Sequence, residues 1–446
     1  MINGKGSAAR RFRLLMILLS AGISFWWGCF IGWNLSRGPM DFQAVYYGSR
    51  TLLLHHNPYS VTDVERTYHA EDALSQSPTP RQFQNMTLYV NTPGTLLFVA
   101  PLALLPLRVG QVLWMILSVG GLCLAAFLIW DMAALEGALV AGCLVCFMLL
   151  NCQVLFGGGN TAALVIGLCT IAAWCFIEGR FVPAGIVFMA ISLLVKPHDS
   201  GLIWMYFLIA GGAYRRRALQ SAALTAALAL AAMLWIWVVA PTWLNDWQSN
   251  LAAISGPGGI NDPRPVALTA ASANNVVSLQ AVFSIFTGNP WVYNLASYLV
   301  CGSLLCVLIF TTIRTTITRN KILIALAALA PLTTLITYHR VHDTKLLLIT
   351  IPACAMLWAT RGRIGWTALL LTSAAIFVNA DIPLAVIGGL TDKLHIATSA
   401  LTGPVLTVLI ARPGQELLLA TAVFYLWIYT KRSMETEVVP VVSERN

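Results

Sequence analysis

Charge is scarce in this chain. Asp, Glu, Lys and Arg make up 10% of its 446 residues, against about 25% in an ordinary soluble domain. That is too little charge to clothe a water-facing surface of this size. A soluble globular protein is therefore excluded, and lipid must cover most of the exterior. No polar stretch is long enough for a separate domain, which leaves residues 1–446 as one membrane domain. The net charge of +9 does not point to nucleic acid, because no basic stripe and no binding module is present. The ten cysteines fall nearly all inside apolar runs. Cys143-x-x-Cys146 has no second pair and no polar surroundings, so neither a disulfide framework nor a zinc or redox centre is implied. The apolar run from Leu14 to Trp33 lacks a short core with a small-residue cleavage site, so it reads as an uncleaved first span. No internal repeat is evident, which counts against the inverted-repeat transporters.

What the chain has in abundance is apolar length: 58% of residues are hydrophobic and the mean hydropathy is +0.75. A spanning helix needs about 20 apolar residues. Candidate spans lie near 14–34, 109–130, 137–155, 161–177, 181–195, 200–213, 219–240, 291–313, 321–338, 344–359, 364–379, 396–411 and 415–430. The expected fold is an all-α, polytopic transmembrane bundle of about 12 spans. The shorter runs are tilted partners, half-helices or re-entrant segments. Pro93 to Pro106 reads as an apolar interfacial helix. Arg180, Arg215 to Arg217, Arg314, Arg319, Lys321, Arg361, Arg363 and Arg412 share a side with the basic N-terminus, residues 1–13, and so are cytoplasmic. The side of the C-terminal tail, 431–446, is not fixed by this count. The opposite, outer side carries the long loops 36–92 and 241–290 and all seven histidines: His55, His56, His69, His198, His339, His342 and His395. Chemistry belongs on that face, where titratable groups collect.

Four stretches have the residue types for it. Asp41 follows the first span in Gly38-Pro39-Met40-Asp41-Phe42, ahead of Tyr46, Tyr47 and Asn57-Pro58-Tyr59. Its carboxylate can serve as a general base on a hydroxyl or simply cap a helix. Lys196-Pro197-His198-Asp199 sits between two apolar runs, where such groups are costly unless paired or functional. Lys196 is either a point charge for phosphate or a snorkelling anchor. Thr337 to Lys345 holds five ionisable groups within seven residues. On a helix, His339 and His342 would share a face, as would Arg340 and Asp343. Arg340 suits phosphate, the two histidines suit a metal, and a structural polar loop is the plain alternative. The second outer loop carries Gly256-Pro257-Gly258-Gly259, read as a mobile lid, then Asn275 and Ser278, placed to bond a sugar or cap the next helix. Asn85-Met86-Thr87 matches a glycosylation acceptor, a weak signal.

Taken in order from about residue 10 to 360, these pieces resemble the membrane glycosyltransferases of the GT-C superclass, and more narrowly glycosyltransferase family 87, the polyprenyl-phosphate-mannose-dependent mannosyltransferases and their relatives. The resemblance rests on Asp41-Phe42, Asn57-Pro58-Tyr59, Tyr89-Val90-Asn91-Thr92-Pro93, Leu105-Pro106, Gly157-Gly158-Gly159-Asn160, Lys196-Pro197, Asn275 to Leu279 and His339 to Asp343. Thr92 stands where the family pattern has proline, and Gly159 where it has glutamine. The resemblance implies transfer of a sugar, mannose or a related hexose or pentose, from a polyprenyl phosphate to a glycan or lipid-linked acceptor, by one inverting displacement at the outer face. In that reading Asp41 is the base, and Lys196, Arg340, His339 and His342 hold the leaving phosphate. Tyr47, Tyr59, His198, Asp199, Asn275, Ser278 and Asp343 line the substrate. No cofactor and no metal is required, and nucleic acid has no part. The rivals are a transporter or flippase, which needs titratable groups within the spans, a polymerase or ligase, for which Arg264 is the one fitting loop arginine, and a scaffold.

Overall fold

The computed structural model describes residues 40–71, 86–264, 276–386 and 413–431, with positions 14, 15, 17–19, 21, 22 and 26. The expected spans 14–34 and 396–411, together with Asn275, His395 and Arg412, fall wholly or mostly outside these residues. Every regular element among them is helical, and their one β pairing is a bridge between Val276 and Arg340. The polytopic all-α expectation is met. In chain order the helices are α1 (Met40–Leu53), α2 (Val61–Glu71), α3 (Pro93–Ala103), α4 (Leu107–Leu150), α5 (Gln153–Gly157), α6 (Thr161–Glu178), α7 (Val182–Val195), α8 (Pro197–Ala210), α9 (Gly212–Val239), α10 (Trp243–Ser255), α11 (Leu279–Phe283), α12 (Pro290–Arg314) and α13 (Arg319–Ile336). A 3₁₀ run, Val341–Thr350, then leads directly into α14 (Ile351–Ala359), followed by α15 (Arg363–Val378) and α16 (Gly414–Thr430).

Six of these segments are long and apolar enough to cross a membrane: α4, α6, α9, α12, α13 and Val341–Ala359. α3, α7 and α15 are apolar but shorter. α4 covers two of the expected spans. Its backbone leaves helical geometry at Gly137 (φ −154°, ψ 62°). The Trp130 indole donates to the Ala138 carbonyl at 3.2 Å, although eight residues of straight helix would separate them by about 12 Å. The chain bends sharply there.

Burial sorts the spans into an inner and an outer set. The apolar windows of α6 and α13 are 83% buried and that of Val341–Ala359 is 94% buried, whereas α9 is 11% buried and α12 28%. With so few polar positions, none of these spans has a water-facing stripe. The inner helices are apolar all round and the outer ones turn Leu230, Trp237, Leu299 and Phe310 outward, as lipid-facing helices do. α6 packs on α4 and α7, and α13 packs on α16 and on the 3₁₀ run.

The chain breaks where sequence forbids continuation. Pro197 has no N–H to give α7's carbonyls, and Lys196 leaves the helix at φ −146°, ψ 76°. The carbonyls stranded at this break are taken by hydroxyls at the start of α3: Thr92, just before the helix, donates to Leu194 at 3.1 Å and Thr95 to Val195 at 3.0 Å. The hydroxyl at Thr92 therefore does work that a proline there could not.

Candidate active site

Four separated pieces of chain meet at one end of the inner helices. The first is the opening turn of α1. Asp41 is exposed there, and its backbone N–H donates to the Gly158 carbonyl at 2.9 Å. The second is the glycine turn between α5 and α6. Asn160 caps α6 by accepting the Ala162 N–H at 2.8 Å, and its Nδ2 donates to Asp41 Oδ2 at 2.7 Å. One carboxylate oxygen of Asp41 is thus held, and Oδ1 is left to act. The turn must be glycine-rich: Gly159 has φ 63°, and a Cβ on Gly158 would stand 3.1 Å from Asp41 Oδ2. The buried Trp114 indole fixes the same turn by donating to the Gly159 carbonyl at 2.9 Å.

The third piece is the α7–α8 break and the fourth is the break before the 3₁₀ run. They are welded by ion pairs. The Lys196 ammonium contacts Asp199 Oδ2 at 2.9 Å and also bonds Asp343 Oδ1. His339 Nε2 lies 3.0 Å from Asp199 Oδ1, and His342 Nε2 lies 3.5 Å from Asp343 Oδ1. Burial alone would raise the Asp199 pKa, but the Lys196 ammonium and the His339 contact outweigh it and hold the carboxyl below its ordinary value. The same two carboxylates overcome burial at Lys196 and hold its pKa above normal.

Arg340 is wired differently. Its guanidinium donates to the Tyr338 hydroxyl, to the Ile260 carbonyl at 3.2 Å and to Asn261 Oδ1 at 3.4 Å. All three acceptors are neutral, so its positive charge is uncompensated by them. Asp41 lies within electrostatic reach of both Arg340 and His342. The arrangement can activate a hydroxyl at Asp41 while a cation faces a leaving anion.

Several sequence expectations need correction. His339 and His342 do not share a helical face: His339 precedes the 3₁₀ run, its carbonyl accepts from Val277 at 2.7 Å, and the two imidazoles serve different carboxylates. Lys196 faces two carboxylates, so it is not a spare charge waiting for phosphate. The ionisable groups also do not stop at a helix end. The 3₁₀ run carries His342, Asp343 and Lys345 buried at the head of a spanning segment. Tyr47 is buried against Tyr46 and Tyr68. Tyr59 is likewise buried, donating to the Asn91 carbonyl at 2.8 Å and packing on Tyr89 and Trp243. Both tyrosines build the support rather than the reacting end. Ser278 starts α11 without capping it, and its buried hydroxyl has no hydrogen-bond partner. The Gly256–Gly259 stretch does not hang free: Gly258 N–H donates to Asp262 at 2.8 Å and Asn261 N–H to Ile254 at 2.9 Å. Arg264 is occupied by the Asp262 carboxylate at 2.7 Å.

Sequence reasoning missed a brace beneath the site. Lys345 Nζ bonds Asp381 Oδ1 at 3.1 Å and the Asn379 carbonyl at 3.1 Å. The other oxygen of Asp381 accepts the Val154 N–H at 2.8 Å, at the start of α5. Asn151 Oδ1 accepts from Ile382 at 2.8 Å. The only sequence signal was the cost of a lysine inside an apolar run.

Far from these groups, α6 ends at a second charged cluster. Arg319 bonds Glu178 at 3.0 Å, and Arg217 donates to the Phe176 carbonyl. Eighteen residues of α6 separate the clusters, about 27 Å of helix. A family model described as Glycosyltransferase family 87 matches residues 89–336. No curated protein and no solved structure matches the chain.

Proposed function

The chain belongs to glycosyltransferase family 87, and on that premise we propose that this membrane glycosyltransferase uses a sugar carried on a polyprenyl phosphate, with Asp41 as the base. The acceptor is a glycan or lipid-linked hydroxyl. Asp41 Oδ1 takes the hydroxyl proton as the oxygen attacks the anomeric carbon; the bond to the phosphate oxygen breaks, and the configuration inverts. Arg340, with the neighbouring His339 and His342, receives the charge that develops on the leaving phosphate. Mannose, or a related hexose or pentose, is the sugar the family resemblance favours.

The single observation that carries this reading is the Asn160–Asp41 bond at 2.7 Å: a carboxylate with one oxygen fixed and one free, within electrostatic reach of Arg340, whose guanidinium hydrogen-bonds only neutral acceptors. The arginine-rich end of α6 supports a cytoplasmic side roughly one bilayer thickness away. This supports an outward-facing reacting end, as suits a lipid donor that needs no soluble nucleotide. A bacterial inner membrane is the setting the family resemblance favours.

The test uses purified protein in liposomes, polyprenyl-phosphate mannose and acceptor extract, with release of free polyprenyl phosphate as the readout. Asp41→Asn is expected to release it roughly 10²–10⁴-fold more slowly than wild type. Equal release would move the base to another carboxylate.

A further inference from the structure

We propose that His198, Asp199 and His339 form a binding site for a divalent transition-metal ion of the zinc type. One ligand atom from each lies within 4.8 Å of the other two. Asp199 Oδ1 is 3.0 Å from His339 Nε2 and 3.8 Å from His198 Nε2. Tetrahedral zinc, with bonds of about 2.0–2.1 Å, separates its ligands by roughly 3.4 Å, which falls between the two. Two histidines and one carboxylate are a donor set zinc accepts, and three protein ligands leave a fourth position open.

The buried histidine supplies the second argument. The side chain of His339 is 0% exposed, and its Nδ1 lies 3.1 Å from the Thr337 carbonyl. A proton on Nδ1 satisfies that carbonyl and turns Nε2 into a lone pair aimed at Asp199, the orientation that metal-bound histidines take from their outer neighbours. Neither His339 Nε2 nor Asp199 Oδ1 has a well-directed hydrogen-bond partner, while Asp199 Oδ2 is held by the Lys196 ammonium at 2.9 Å. In that tautomer a lone pair and a carboxylate oxygen lie 3.0 Å apart, an arrangement that a shared cation stabilises. His198, with 42% of its side chain exposed, stands at the open side and stacks edge-on to His339 with ring centroids 5.0 Å apart.

Charge gives a third argument, which rests on the transferase reading above. The imidazoles aside, Lys196 and Arg340 offer two positive charges against the three negative charges of Asp199, Asp343 and Asp41, a net of one negative charge. A dication turns that into one net positive charge and makes this end attractive to a lipid phosphate, whose oxygen can occupy the open position.

The test is metal binding by the full chain, tag-free in detergent and stripped with chelator, titrated with Zn²⁺ and separately with Co²⁺. Wild type and the control His56→Ala are expected to bind one equivalent of zinc and to give the visible absorption of cobalt held by nitrogen and oxygen ligands. His198→Ala, at an exposed position that leaves the core intact, is expected to bind roughly 10–100-fold more weakly. His339→Gln is expected to abolish the cobalt band. Zinc uptake by wild type no greater than by His198→Ala, or no cobalt band, overturns the site and leaves His339 as a hydrogen-bond partner of Asp199. No donor or acceptor is present, so this result and the fate of the transferase reading are separable.

Discussion

Asn160 has two duties at a single position. Its Oδ1 caps α6 and its Nδ2 orients Asp41. Replacing it with alanine removes both. The cap is worth about 1 kcal/mol, so Asn160→Ala is expected to lower thermal stability slightly while cutting polyprenyl phosphate release much more, with kcat falling and KM little changed. A fall in stability alone, with full turnover, would reduce Asn160 to a cap. Tyr59 predicts the reverse. Its hydroxyl, ring and backbone carbonyl are all engaged with Asn91, Tyr89, Trp243 and Asn250. Tyr59→Ala is therefore expected to cost about 3–5 kcal/mol of stability, and the surviving folded fraction, counted by gel filtration, should turn over normally.

At the scale of elements, two contacts decide whether the site is assembled. One is the crossing of α4 and α6. A Cβ on Gly167 would stand 2.9 Å from the Gly121 carbonyl carbon, backbone against backbone. Small residues at such crossings let helices approach in lipid, where packing drives association. Gly167→Val is expected to destabilise by about 1–3 kcal/mol, read as a lower melting temperature in detergent. An unchanged melting temperature would mean the helices part without cost. The other contact is the Lys345–Asp381 brace, nearly dry on both sides, with 3% and 5% side-chain exposure. Losing one partner strands the other charge, at about 3–5 kcal/mol. Asp381→Asn should therefore fold poorly, and Lys345→Met with Asp381→Leu should recover much of the yield. Equal yields for all three proteins would show that the pair carries no structural weight.

For the whole molecule, the prediction concerns sidedness. If the arginine-rich end of α6 is cytoplasmic, a cysteine placed at Arg216 will react with a membrane-impermeant thiol reagent only after cells are opened. One placed at His56, in a background with the exposed Cys143 and Cys306 replaced by serine, will react in intact cells. The opposite labelling would put the reacting end inside the cell and remove the reason for a lipid-borne donor.

The sequence by itself determined the all-helical, lipid-clothed class, the breaks at Lys196-Pro197 and before Val341, and the glycine turn next to Asn160. Hydrophobic length, proline's missing donor and glycine's freedom are local properties that need no knowledge of partners. The family pattern along the chain also made Asp41, Lys196 and Arg340 stand out. Tertiary structure alone decided which charges cancel. Lys196 meets Asp343 across 147 residues, Asn160 meets Asp41 across 119, and Val154 meets Asp381 across 227. A charge in an apolar run announces only that it needs a partner. Which of several carboxylates answers depends on how the helices pack, and that choice left Lys196 neutralised, Arg340 available and His339 facing Asp199.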